Sequence, residues 1–322
     1  MALHHTRAML VLARDLAGPC LAPRGSVVAV GALDGLHLGH QSLLTRVAAR
    51  AAITGLTPMV VSFEPLPRSF FATEPLPRLG SVREKIEGVA AMGMAVLLLL
   101  RFNRSLAGMP AGEFVRRVIA ARCGAREVWV GGDFRFGHAR GGDLGLLQAL
   151  GCELDFEAHA LETQAHGGER ISSSSIRTAL AAGDFATAAQ RLGRPFSMEG
   201  RVVRGQQLGR RLGFPTANIR LGRRVSPLRG IFAVRIHGAV AHPLPGVASL
   251  GLRPTVGGRE MLLEPHVFDF EGDLYGRHLR VEFVAKLRDE ETFASLDDLT
   301  RQMHADAAAA RAILASLHTL PA

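Results

Sequence analysis

The segment VVAVGALDGLHLGHQSLLTRVAARAA, residues 27–52, decides how the first half of this chain reads. An apolar run, Val27 to Val30, ends in a turn with glycines at 31, 35 and 39. The apolar positions of residues 41–52 then recur with the spacing of an amphipathic helix. Strand, glycine-rich turn and helix, in that order, open a βαβ unit. Similar apolar runs start at Pro58 (PMVVSF), Ala95 (AVLLLL) and Glu127 (EVWV), with helical patterns at residues 41–52, 81–92 and 111–122 between them. Strands apolar on both faces and alternating with helices predict a parallel sheet covered on both sides, an α/β domain of Rossmann-like design. Ligands of such sheets bind beyond the carboxyl ends of the strands, where strand order reverses.

Near Leu192 the period changes. GRPFSMEGRVVRG, GIFAVRIHGAV, EMLLEPHVFDF and HLRVEFVAKL are short alternating runs separated by Gly and Pro. They predict antiparallel strands in a small β-barrel. A final helix is expected over residues 295–317, with SLDD as its N-cap and Leu296, Leu299 and Met303 on its apolar side. Two domains are therefore expected, 1–192 and 193–322, each large enough to bury a core.

Composition narrows the classes. The chain has 322 residues, 38 Lys+Arg against 29 Asp+Glu, and a net charge of +9. Nearly all of the positive charge is arginine, since Lys occurs only at Lys85 and Lys286. An anionic partner is implied, but the arginines form no run and accompany no RRM, KH or helix-turn-helix pattern, so nucleic acid is not expected. Cys20, Cys123 and Cys152 are too far apart for a CxxC site and suit reduced thiols in the cytoplasm. The N-terminus is broken by Arg7 and Arg14, unlike a signal peptide, and the uncharged apolar stretch 89–100 is too short to span a membrane.

In the turn, His37 and His40 fall at the start of the first helix, where backbone N–H groups attract anions, and Gly31 and Gly39 allow close approach of a ligand. The helix end contributes about 0.3–2 kcal/mol to anion binding, far less than phosphate chemistry demands. Two imidazoles donating to phosphate oxygens would supply more. Asp34, His37 and His40 as a metal cluster, or the histidines as ordinary turn residues, remain alternatives. Other strand ends add SFEPLP with Glu64 and Pro65, GGDFRFG with Asp133 and Phe136, and ISSSSIR with Ser172, Ser173 and Arg177. The serines are equally good helix caps.

A second constellation lies in RGQQLGRRLGFPTANI, with Gly205, Gly209 and Gly213 ahead of Pro215, Thr216 and Asn218. If Thr216 and Asn218 share a strand, hydroxyl and amide oxygen face one ion or phosphate; a glycine-rich hairpin is the plainer reading. No GxxxxGK[ST] occurs, so a P-loop is excluded and phosphate must be held by main-chain amides and Mg²⁺. Glu264, out of character in an apolar strand, is a candidate base with His266 on its face, or simply an outward residue.

The blocks GALDGLHLGHQ, SFEPLP, VGGDFRFG and ISSSSIR resemble the HxGH nucleotidyltransferases. With GRRLGFPTANI, GIFAVRI, LEPHVFDF and LRDEETFASLDDL following in order, the chain most resembles the bacterial bifunctional riboflavin kinase/FMN adenylyltransferase family, or FAD synthetases. The resemblance implies that riboflavin is phosphorylated to FMN and FMN adenylylated to FAD, with ATP as co-substrate and Mg²⁺ as cofactor. It implies roles in the second reaction for His37 and His40 on the ATP phosphates, Gly31, Asp34, Gly39, Asp133, Ser172, Ser173 and Arg177 on the nucleotide, and Glu64, Pro65 and Phe136 on the flavin. In the kinase it implies Gly205, Gly209, Gly213, Pro215, Thr216 and Asn218 on ATP, Thr216 and Asn218 on Mg²⁺, and Glu264 as base. Leu66, Leu33 and Ser175 depart from the family pattern of His, Phe and Arg there. Alternatives are a chain keeping one activity, the kinase, or a basic RNA-binding protein on a nucleotide-binding fold. A homo-oligomer is possible.

Overall fold

The computed structural model describes residues 9–162, 165–166, 169–205, 213–221, 225–255 and 258–317, with backbone only at 165–166, 253–255 and 258–260. By contacts the chain forms two units, one holding the residues up to Leu76 and Gly80–Ser173, the other Pro77–Leu79 and the residues from Ser174 onward.

In the first unit the opening segment forms strand β2 (Ser26–Val30), buried at every position. It lies inside a six-stranded parallel sheet with β1 (Val11–Ala13), β3 (Thr57–Glu64), β4 (Val96–Arg101), β5 (Ala125–Gly131) and β6 (Glu157–Leu161), in the order β1-β4-β3-β2-β5-β6. Strand β2 pairs with β3 on one side and β5 on the other, so the chain reverses its direction of advance beside the glycine-rich turn. The expected α/β design and switch point are thus borne out. Helix α1 (Leu38–Thr54) buries Leu43, Leu44, Val47 and Ala51 on one face of the sheet. Its place over β5 is fixed by a bidentate ion pair, Arg50 to Glu127 at 2.6 and 2.9 Å, which holds the Glu127 carboxyl below its usual range.

Short helices α2 (Pro67–Phe71), α3 (Val82–Ala91) and α4 (Arg104–Ala107) follow strands β3 and β4. Ser81 and Glu84 form a capping box on α3. The helix expected at 111–122 is α5 (Ala111–Phe114) running into a π-helical stretch, Val115–Arg122. Helix α6 (Leu144–Leu154) covers the sheet edge, and a small hairpin, β7 (Ala165–His166) with β8 (Glu169–Arg170), precedes α7 (Ser173–Ala181).

The second unit is a closed barrel of β9 (Ser197–Val203), β10 (Asn218–Arg220), β11 (Gly230–His237), β12 (Leu244–Thr255), β13 (Gly258–Val267) and β14 (His278–Arg288). Phe196, Ile219, Phe232, Leu250, Leu263, Val281 and Phe283 fill it. The same core takes in Ile176, Leu180, Phe185 and Leu192 from α7 and α8 (Phe185–Leu192). The boundary near 192 marks the change of pattern, whereas by packing these two helices go with the barrel. Leu79 joins them, and Arg78 N donates to Val225 O at 2.9 Å.

The last helix, α9 (Leu296–Ser316), is capped by Ser295 as expected, but its buried side is Asp306, Ala310 and Leu314. Leu296 is exposed, because Arg288 grips the Asp306 carboxylate with two N–H donors (2.9 and 2.8 Å) and so turns that face toward the barrel. The three cysteines are free, and burial pushes the Cys123 thiol up to about 12.

Candidate active sites

His37 occupies the N-cap of α1, and its Nδ1 accepts the backbone N–H of His40 at 3.4 Å. The helix therefore starts three residues before its apolar pattern at residues 41–52, because a histidine takes the place usually held by Ser, Thr, Asp or Asn. Capping also fixes the tautomer, since an Nδ1 that accepts leaves the proton on Nε2. The two imidazoles stack with centroids 3.6 Å apart and planes 20° from parallel. A Cβ on Gly39 would sit 3.3 Å from the His37 ring, so the intervening glycine is what lets the rings approach. Side-by-side stacking is not a set of ligands converging on one ion. Among the described residues no group of three or more His, Cys, Asp or Glu is arranged to hold a metal.

The turn itself is strained. Leu33, Gly35 and Leu36 have φ of 51°, 80° and 46°, and a leucine rarely adopts that region. Burial of both leucines holds it, with Leu33 in the interior under α1 and Leu36 seated where any Cβ on Gly88 would lie 2.3 Å from its Cδ1. The departure at Leu33 is thus absorbed by packing, as is that at Leu66, which is 3% exposed.

His40 Nδ1 is buried without a hydrogen-bond partner among the described residues. Burial, then the neighbouring His37 and Lys85, hold this imidazole well below its usual value of 6.5. An unfolded chain takes up a proton at His40 as pH drops through 6.5, while the folded chain resists until lower pH. Stability contributed here is complete above 6.5 and is lost on acidification. Melting temperature should fall between pH 6.5 and 5 more steeply in the wild type than in His40→Gln, measured by calorimetry.

Other blocks of the first unit follow neighbouring strands of the parallel sheet or are tied to the turn by hydrogen bonds. Ser173 Oγ donates to Asp34 O at 3.0 Å, joining the ISSSS block to the turn, and Asp34 is buried. Gly31 N donates to Val61 O at 3.1 Å. Ser172 is half-buried. Asp133 pairs with Arg170 at 2.6 Å, which holds its carboxyl below the usual range. That arginine went unnoticed in the sequence although it stands two residues before the serine run. Arg177 belongs to the second unit, where its Nε donates to Pro77 O at 2.6 Å. Glu64 and Pro65 end β3, and Glu64 lies 3.9 Å from Lys85 Nζ, a buried cation that sequence reading passed over. Phe136 is buried in an aromatic cluster with Phe114; Phe134, stacked on it at 5.2 Å, is the more accessible ring.

In the barrel, Ile219 pairs with Leu263, and Ala217 N donates to Pro265 O at 2.9 Å. Continuing that register by one residue sets Asn218 opposite Glu264. Ala217 and Ile219 point into the core, so Thr216, Asn218, Glu264 and His266 share the other face, although only Asn218 of the first two is within the strand. His266 Nδ1 contacts Pro215 O at 2.8 Å and pins the turn to β13. Ser249 is the partner of Glu264 across β12.

Gly205 packs against the Asn218 amide so closely that a Cβ there would lie 2.5 Å from its Nδ2 and Oδ1. Thr216 and Asn218 offer hard oxygen donors that fit Mg²⁺, and with no metal-holding cluster of carboxylates among the described residues, such an ion would be completed by water and phosphate. Gly213 has φ of 82°, and Gly209 lies outside the described residues. Gly205→Ala should displace the Asn218 amide and lower any activity carried at this strand end about tenfold, with that of the first unit unchanged, as read by separate assays of the two units.

Comparison with known proteins accords with this arrangement. The family model for FAD synthetase matches residues 21–175, and that for riboflavin kinase matches residues 192–314. Proteins described as bifunctional riboflavin kinase/FMN adenylyltransferase are 44% identical in Escherichia coli K12, over 89% of this chain and 92% of theirs, and 44% identical in Pseudomonas fluorescens, over 91% and 94%. A solved structure described as a macrolide-efflux protein from Streptococcus pneumoniae superposes with a TM-score of 0.75 at 29% identity, over 92% of this chain and 97% of that one. Among the described residues of this chain no helix is long and apolar enough to cross a membrane. Fold and sites define a two-module transferase of phosphorus-containing groups, one module with an HxGH turn on a parallel sheet and the other a flavokinase barrel. The chain belongs to the bifunctional riboflavin kinase/FMN adenylyltransferase family.

Proposed function

We propose that this chain makes FAD in two steps. Riboflavin and ATP give FMN and ADP at the barrel, and FMN and a second ATP give FAD and pyrophosphate at the α/β unit. The observation that carries this reading is that both matched segments keep their chemistry-bearing residues: the stacked imidazole pair in one, and Asn218 in register with Glu264 in the other.

In the kinase step Glu264 accepts the proton of the ribityl 5′-hydroxyl as its oxygen attacks the γ-phosphorus, and ADP leaves. Thr216 and Asn218 would hold Mg²⁺, which supplies charge neutralisation on the phosphates when bound. Gly205, Gly209, Gly213 and Pro215 shape the approach of the nucleotide. In the second step an FMN phosphate oxygen attacks the α-phosphorus of ATP and pyrophosphate departs. His37 and His40 donate to phosphate oxygens where charge builds. Gly31, Asp34, Gly39, Ser172, Ser173 and the Asp133 loop position the nucleotide; Glu64, Pro65 and the Phe134–Phe136 ring pair border the flavin.

The reaction needs only small molecules, so we assign the protein to the cytoplasm, acting on neither nucleic acid nor membrane. Labelled ATP tests the scheme. An α-phosphate label should enter FAD and not FMN, whereas a γ-phosphate label should enter FMN and persist in FAD. Removal of Mg²⁺ with a chelator should stop both transfers. An α-label found in FMN, or turnover undiminished without a divalent ion, would count against it.

A further inference from the structure

Of the two lysines in the chain, Lys85 is 3% exposed. It projects from α3 into the floor beneath the glycine-rich turn, and its Nζ reaches Ala32 O at 2.8 Å, Phe63 O at 3.1 Å and Ser62 Oγ at 3.3 Å. An ammonium has three N–H donors, and three acceptors are here supplied. Ser62 Oγ in turn donates to Ala32 O at 3.2 Å, which leaves its lone pairs for the lysine. Two of the acceptors end β3 and the third belongs to the turn itself, two residues before Asp34. We propose that Lys85 is a positioning residue for adenylyl transfer, its ammonium clamping the turn that carries His37 and His40 to the carboxyl end of β3.

This rests on the adenylyltransferase reading above and deepens it. The lysine cannot serve as a phosphate hook, because its donors are spent inside the protein. It acts from behind, in two ways. It joins the strained backbone at Leu33–Leu36 to the sheet, which fixes where the helix-start amides and imidazoles lie. It also sets a buried positive charge behind the histidines, where it favours an incoming triphosphate and disfavours a proton on His40. Of the charged and titratable groups, Glu64 lies 3.9 Å away, the half-buried His40 feels its charge, the buried Asp34 and His37 sit on the turn it holds, and Glu84 on its own helix has its carboxylate engaged by Ser81 N.

The test compares Lys85→Met and Lys85→Arg with the wild type in three readouts: FMN formation, FAD formation from FMN, and the titration of His40 followed by NMR. The clamp predicts that Lys85→Met forms FMN within twofold of wild type, loses FAD formation by tenfold or more, and titrates His40 at higher pH. Lys85→Arg keeps the charge, so its His40 should titrate as in the wild type. FAD formation in Lys85→Met within twofold of wild type overturns the proposal, as does a His40 titration that Lys85→Met leaves unmoved. Should Lys85→Met lose FMN formation as well, Lys85→Arg and Ser62→Ala decide: a weakened affinity for ATP with an unmoved His40 titration supports the clamp, and unchanged ATP affinity in both sinks it. A wild-type chain that forms FMN and no FAD would instead defeat the reading beneath, and the NMR comparison would still report on the lysine.

Discussion

His40→Ala stops FAD formation and leaves FMN accumulating from riboflavin. The imidazole is half-buried and held neutral by its surroundings, and its Nδ1 is buried without a hydrogen-bond partner among the described residues, within the anion-attracting start of α1. A preorganised donor of this kind is worth about 10²–10³ in rate when removed. His37→Ala should cost at least as much, because that ring is also the N-cap of α1 and the stacking partner of His40. Loss of a cap accounts for about 0.5–2 kcal/mol of stability. His37→Asn separates the two roles: asparagine can cap, so stability should return while FAD formation does not. Chromatographic rates for each step, with melting temperature alongside, check all three variants. If either alanine variant lost both activities while remaining folded, two separate sites would be contradicted.

Glu264→Gln should produce the opposite pattern, with riboflavin phosphorylation falling by about 10²–10⁴ and FMN adenylylation intact when FMN is supplied. Glutamine matches glutamate in shape, so the β12–β13 pairing through Ser249 survives and the loss falls on proton acceptance alone. A purely outward, structural glutamate would tolerate the change, and kinase activity within threefold of wild type would assign Glu264 that lesser place.

Period and punctuation made most of the fold legible. Residues 27–30 are apolar at successive positions because β2 is covered on both faces, and the alternation after Leu192 reports a barrel filled on one face only. Strands β1 and β6 escaped notice because each has exposed or polar positions at a sheet edge, so neither shows a continuous apolar run. The burial of α9 through Asp306 was equally hidden, since the partner that makes a carboxylate tolerable there, Arg288, lies on a strand 18 residues away. Candidate site residues on turns between strand and helix stood out, because glycines and histidines break pattern visibly. The buried Lys85 and the Asp133 partner Arg170 did not, since what sets them apart is contacts with Ala32, Ser62, Phe63 and Asp133 that only folding creates.

The most direct measurement is a time course of the purified chain with riboflavin, ATP and Mg²⁺, its flavins resolved by chromatography and its ADP and pyrophosphate quantified. Riboflavin should decline as FMN rises and then gives way to FAD, with one ADP per FMN formed and one pyrophosphate per FAD. Riboflavin left unconverted, or FMN that accumulates without FAD or pyrophosphate while ATP remains, would contradict the account.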